Sequence, residues 1–178
     1  MRGSAILLLF VSAAVCCAED QSALARAAAG CGPANVQFDV KTDKGKMAPT
    51  QSEPGQALIV VFEDERHEVQ AVRIASDVTT RIGLDGQWVG ANHGSSYLSF
   101  ATDPGEHHLC AEWQSHLKRL SDLGSAITVT TEPGKTYFFR VRVEERNNHP
   151  PAVKLEPIDL AQGQFMFSSH SLATSQIK

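Results

Sequence analysis

The 178-residue sequence is poor in nearly every feature that marks a specialised class of protein. Cysteine occurs four times, proline eight times and glycine 13 times. Those numbers are too small for a disulfide-dense miniprotein, a collagen-like repeat or a disordered Pro/Gly-rich chain. Charge of one sign is not in large excess either, since 16 Lys+Arg stand against 20 Asp+Glu for a net charge of −4. A chain with that balance lacks the basic surface that grips nucleic acid or anionic lipid. No apolar run reaches the roughly 18 residues of a membrane-spanning helix. What is left, at 42% apolar and 20% charged residues, is the composition of one ordinary globular domain.

Catalytic signatures are missing as well. No Gly-rich phosphate loop occurs, and the Gly90 to Gly94 stretch has Asn92 where a nucleophile elbow needs serine. His67-Glu68 opens like a zinc-protease helix, but Ala71 stands where the second histidine is required. The acidic runs Glu63-Asp64-Glu65 and Glu144-Glu145 end apolar stretches and read as solvated turns rather than acid–base pairs.

What is present begins at the N-terminus, where Arg2 precedes an apolar run from Ala5 to Val15 broken only by Ser12. That run is too short to cross a bilayer core of roughly 30 Å. It reads as a signal peptide over residues 1–18, with Cys16-Cys17-Ala18 offering small residues for cleavage before Glu19. Lipidation of Cys16 or Cys17 is disfavoured: Cys16 follows Val15, Cys17 follows Cys16, and alanines stand where a lipobox has leucine. Without Arg2, 15 basic residues face 20 acidic ones, a net charge of −5.

Export changes the meaning of the two remaining cysteines. In an oxidising compartment Cys31 and Cys110 are expected to pair. The bridge would close a loop of about 80 residues, for which the chain-entropy estimate is on the order of 4 kcal/mol.

The rest of the chain divides into residues 19–34, read as a short Ala-rich helix and linker, and residues 35–178, read as one β domain. Three corners recur, Glu53-Pro54-Gly55, Asp103-Pro104-Gly105 and Glu132-Pro133-Gly134, each with the proline and glycine of a type II turn and each launching a strand. Ala57 to Glu63 is apolar on both faces and fits a central strand. Tyr137 to Val143 and Ile127 to Thr130 alternate like strands with one buried face. Asp85-Gly86 fits a two-residue hairpin of the primed type, and the strands from Thr79 to Trp113 read as an antiparallel meander. Within His107 to Trp113, Leu109 and Trp113 share one face and Cys110 lies on the other. Some eight or nine short strands predict an all-β antiparallel sandwich, with a short C-terminal helix or irregular cover over 159–172.

Candidate binding residues cluster near the hairpin: Trp88, Asn92, His93, Tyr97 and Trp113 could form a platform for a peptide or a sugar ring, although such aromatics more often fill a sandwich core. His93, His107 and His108, with Glu112, are the metal candidates of a rival hydrolase reading, against which adjacent strand residues point to opposite faces. No cofactor is indicated.

The stretch Leu84-Asp85-Gly86-Gln87-Trp88-Val89-Gly90, followed by Tyr97 and by Pro104-Gly105-Glu106-His107-His108-Leu109, resembles a bacterial family of small exported domains of unknown function. That family carries a V-x-x-D-G-x-x-V-G hairpin and a P-G-x-H strand, often in lipoproteins, and the resemblance spans residues 55 to 160. It implies a sandwich module of the cell envelope and brings no catalytic residues; the poor lipobox departs from the lipoprotein members. The combined expectation is an exported, non-catalytic β-sandwich that engages a protein or cell-wall component, with no nucleic-acid partner.

Overall fold

A computed structural model of the chain describes residues 30–64, 79–114, 123–146 and 149–178. Ten strands among the described residues form two sheets. In chain order they are β1 (Phe38–Asp43), β2 (Ala57–Glu63), β3 (Thr79–Leu84), β4 (Gln87–His93), β5 (Ser96–Thr102), β6 (Gly105–Gln114), β7 (Gly124–Thr131), β8 (Thr136–Arg146), β9 (His149–Ile158) and β10 (Ser171–Ile177). A single helix among the described residues, α1 (Leu160–Phe167), lies between β9 and β10.

The larger sheet has the order β1-β10-β5-β2-β8-β9 and the smaller β4-β3-β6-β7. All-β and two-sheeted as expected, the fold is not purely antiparallel: β2 runs parallel to β8, and β5 runs parallel to β10 over a short pairing. The expected meander is also interrupted. β3 and β4 form the hairpin, but β5 leaves for the larger sheet, where it pairs with β2, and β6 returns to pair with β3. Alternation reports which face of a strand is buried; it carries no information on which sheet the strand joins.

The core is in two layers. Between the sheets, Ile59, Val61, Leu98, Phe139, Val141, Val153 and Leu155 meet Ile82, Leu109, Ala111 and Trp113. On the other face of the larger sheet, Leu58, Val60, Phe62, Tyr97 and Phe138 pack with Met166 and Phe167 of α1. β2 sits mid-sheet between these layers, and every one of its residues is buried. Apolar patterning on both faces is what that position requires.

Local chemistry accounts for the connections. Asp85 (φ 51°) and Gly86 (φ 80°) both take the left-handed region, as a type I′ turn demands, and a bulge after Ile82 sets the register that places Trp88 opposite Gly83. Gly55 (φ 85°) and Gly134 (φ 75°) close type II corners, with Gln56 N–H donating to Glu53 O and Lys135 N–H to Glu132 O. The third Pro-Gly corner differs: Gly105 (φ 143°) already opens β6, and the Asp103 carbonyl accepts from the Thr131 hydroxyl.

The tail holds one helix and one unforeseen strand. Asp159 caps α1, accepting from Gln162 N–H at 2.7 Å while the Gln162 side chain accepts from Asp159 N–H. Gly163 lets the helix sit directly on the sheet, since a Cβ there would come within 2.6 Å of the Phe138 ring. β10 then pairs along all of β1. β1 itself runs on through Lys41 and Thr42 to Asp43. The expected signal peptide and the helix of residues 19–29 lie outside the described residues.

Candidate functional site

Cys31 and Cys110 form a disulfide, with Cα atoms 5.6 Å apart. Leu109, Ala111 and Trp113 face the core between the sheets, which puts Cys110 on the outer face of the smaller sheet, as strand alternation requires. It is nevertheless 1% exposed, because residues 30–36 run across that face as a strap. Gly83 of β3 is the seat of the strap: a Cβ there would overlap the Cys31 carbonyl and approach Cys110 Sγ to 3.1 Å. Gly32 is the reciprocal feature, lying flat on Trp88, where a Cβ would come within 2.7 Å of the indole nitrogen.

Polar contacts complete the strap. Trp88 Nε1–H donates to Pro33 O at 2.8 Å. Arg81 Nη1 donates to Val36 O at 2.8 Å and Nη2 to Glu112 Oε2 at 2.8 Å. The guanidinium carbon also lies 4.4 Å from the Trp88 ring centroid, a cation–π stack. At the far end the Gln114 side chain clamps Phe38, accepting from its N–H and donating to its carbonyl. Trp88 is left half-buried, with its ring plane and its N–H both fixed.

A second polar cluster lies at the hairpin end of this sheet. Asp85 uses both carboxylate oxygens, Oδ2 at 2.7 Å from His107 Nδ1 and Oδ1 accepting from His108 N–H at 2.8 Å. His107 Nε2 lies 2.8 Å from the Asp103 carbonyl and 3.3 Å from the Thr102 hydroxyl. Both ring nitrogens are thus engaged within the protein, and the cluster ties the β3–β4 turn to the start of β6.

The candidate metal ligands do not converge. His93 stands opposite Thr79 at one end of β3, whereas His107 and His108 lie beyond Leu84 at the other. At about 3.4 Å per strand residue the separation is roughly 20 Å, so the three cannot ligate one ion. Glu112 is committed to Arg81, and no group of three or more His, Cys, Asp or Glu that could hold a metal occurs among the described residues.

The candidate platform is also dispersed. Trp113 is 1% exposed in the core between the sheets, while Tyr97, also 1% exposed, packs on the opposite face of the larger sheet against Phe62 and Phe167. Asn92 is fully buried and donates to Val61 O. It does neighbour Trp113, because both stand beside Thr80 in the register of the smaller sheet, but as an inward-facing row. His93 is partly exposed, and its N–H donates to the Ser96 hydroxyl. Trp88 alone of the three aromatics reaches the surface.

Two arrangements were missed at the level of sequence. One is Arg81, whose place on the β3 outer face follows from alternation, but whose partners come from residues 45 and 31 positions away. The other is Glu63, fully buried at the end of β2 and accepting from the Thr80 hydroxyl at 2.7 Å. A charge closing an apolar strand looks like the start of a turn, and only the packed sheets show it to be interior.

No protein-family model, no curated protein and no solved structure matches this chain. No helix among the described residues is long and apolar enough to cross a membrane.

Proposed function

We propose that the chain is an exported, non-catalytic β-sandwich module of the cell envelope that engages a protein or cell-wall component through the Trp88 face of its smaller sheet. The observation that carries this reading is the Cys31–Cys110 bridge with the strap it holds. Disulfides persist in oxidising compartments, which agrees with the leader read in residues 1–18 and with the resemblance to small exported domains. Tryptophan and arginine are the side chains that most often dominate binding energy at interfaces. Trp88 is held by Arg81 on its ring and by Pro33 O on its nitrogen, so little conformational freedom remains to be lost when a partner covers it.

The test is fractionation of cells expressing the full chain, followed by co-sedimentation of the purified mature protein with isolated cell-wall sacculi and with envelope extract. Export with loss of residues 1–18, and binding that weakens at least tenfold in Trp88→Ala but is retained in Trp88→Phe, is the expected result; tenfold corresponds to about 1.4 kcal/mol. A cytosolic protein that keeps its leader, or equal binding by wild type and Trp88→Ala, would overturn it.

A further inference from the structure

We infer that the Cys31–Cys110 bridge is a latch whose reduction releases residues 30–36 and uncovers the outer face of β3, β4 and β6. The strap is anchored at its C-terminal end, where the Gln114 amide clamps Phe38 and β1 begins. Toward its N-terminal end the covalent anchor is the disulfide. Among the described residues the intervening hold is slight: two hydrogen bonds, from Trp88 to Pro33 O and from Arg81 to Val36 O, and the flat contact of Gly32 with the indole. Those bonds compete with water, and ordering a glycine-bearing segment costs conformational entropy at each residue, so the crosslink supplies what the contacts lack.

The sulfurs are unequally placed for exchange. Cys31 is partly exposed at the surface, whereas Cys110 is buried beneath the strap. A thiolate of a dithiol reductant attacks Cys31 Sγ, forming a mixed disulfide as Cys110 Sγ leaves and takes up a proton. The second thiol of the reductant then attacks its own sulfur in the mixed disulfide, closing the reductant's disulfide and leaving Cys31 as a thiol. Two electrons pass from the dithiol to the bridge.

Release of the strap bares Gly83, frees Arg81 from Val36 O and exposes the Trp88 face that Gly32 covers. The core between the sheets is untouched, because its residues lie on the opposite face of the same strands. This inference rests on the strap alone, and its test reads neither export nor partner binding, so the two readings fail independently.

Tryptophan fluorescence tests it directly, since Trp113 is shielded in the core and Trp88 is half-buried with Gly32 of the strap against its ring. Acrylamide quenching of the full mature chain is measured oxidised, after reduction with dithiothreitol, and in Cys31→Ser, with Trp88→Phe as the control that removes the reporting ring. The expected result is a rise in the quenching constant and a red shift of emission in both the reduced protein and Cys31→Ser. Neither change occurs in Trp88→Phe, and the far-UV circular dichroism of the sheets is unchanged throughout. Unchanged quenching in both reduced protein and Cys31→Ser would overturn the latch. So would loss of that circular-dichroism signal, which would make the bridge a staple of the whole fold.

Discussion

Replacing Asp85 by alanine is the sharpest perturbation of the hairpin on which the Trp88 face is built. The substitution removes two hydrogen bonds at once, the contact of Oδ2 with His107 and the bond that Oδ1 accepts from His108 N–H, and leaves alanine at φ 51°. Hydrogen bonds to a charged group contribute roughly 1.5–3 kcal/mol. The Asp85 side chain is 28% exposed, so water recovers part of that loss. Alanine in the left-handed region adds about 1 kcal/mol, and the sum is on the order of 3 kcal/mol. Asn retains an acceptor and tolerates the backbone conformation, so Asp85→Asn should lose about half as much. The assay is urea unfolding of wild type, Asp85→Ala, His107→Ala and the double variant, which yields the coupling between the two side chains. A loss below about 0.5 kcal/mol for Asp85→Ala, the range of ordinary surface substitutions, would refute this account of the hairpin.

Three further outcomes follow from other parts of the fold. Gly163→Val drives side-chain atoms into the Phe138 ring and should cost about 1–3 kcal/mol, read by thermal unfolding; an unchanged midpoint would mean that α1 does not sit on the larger sheet as described. Removing the bridge by Cys31→Ser should lower stability by at most about 4 kcal/mol, measured by denaturant unfolding under oxidising conditions, and equal stability would show that the bridge does not constrain the unfolded chain. The Glu156 carboxyl, although partly desolvated, is held below its ordinary value by bonds from Arg140 and Lys154. The native state therefore binds fewer protons at that site than the unfolded chain, so the stability it contributes is full above the ordinary carboxylate value and is lost as pH falls through the lowered one. Stability of the wild type should accordingly decline more steeply with acid than that of Glu156→Gln, and parallel curves from pH 7 to pH 3 would contradict the pairing.

Much of the architecture was legible because it is local. The hairpin at Asp85-Gly86, the corners at Gly55 and Gly134 and the doubly buried β2 all follow from backbone preferences or short-range patterning. Cysteine arithmetic found the Cys31–Cys110 pair, and alternation put Cys110 on the face away from the core. What stayed hidden depends on distant segments meeting. β10 reads Ser-Leu-Ala-Thr-Ser-Gln-Ile, a weak strand pattern made regular by pairing with β1 at the other end of the described chain. The parallel partnership of β2 and β8 leaves no mark in either strand, since burial on both faces, as in β2, and alternation, as in β8, occur in antiparallel sheets as well. At the candidate site the same division holds. Tyr97 and Trp113 lie 16 residues apart in sequence, but β5 and β6 belong to different sheets, so residues that look like one platform fill two separate cores. The strap was not foreseen because its seat is an absence of side chain, at Gly83 and Gly32, and its hydrogen bonds run to backbone carbonyls.

Intact-mass spectrometry of the chain purified from the cells that make it tests the proposal that the mature protein is an exported domain strapped by one disulfide. The expected species is a polypeptide beginning at Glu19 that takes up no alkylating reagent before reduction and two equivalents after it. A chain that retains residues 1–18, or that alkylates at both Cys31 and Cys110 without reduction, would contradict it.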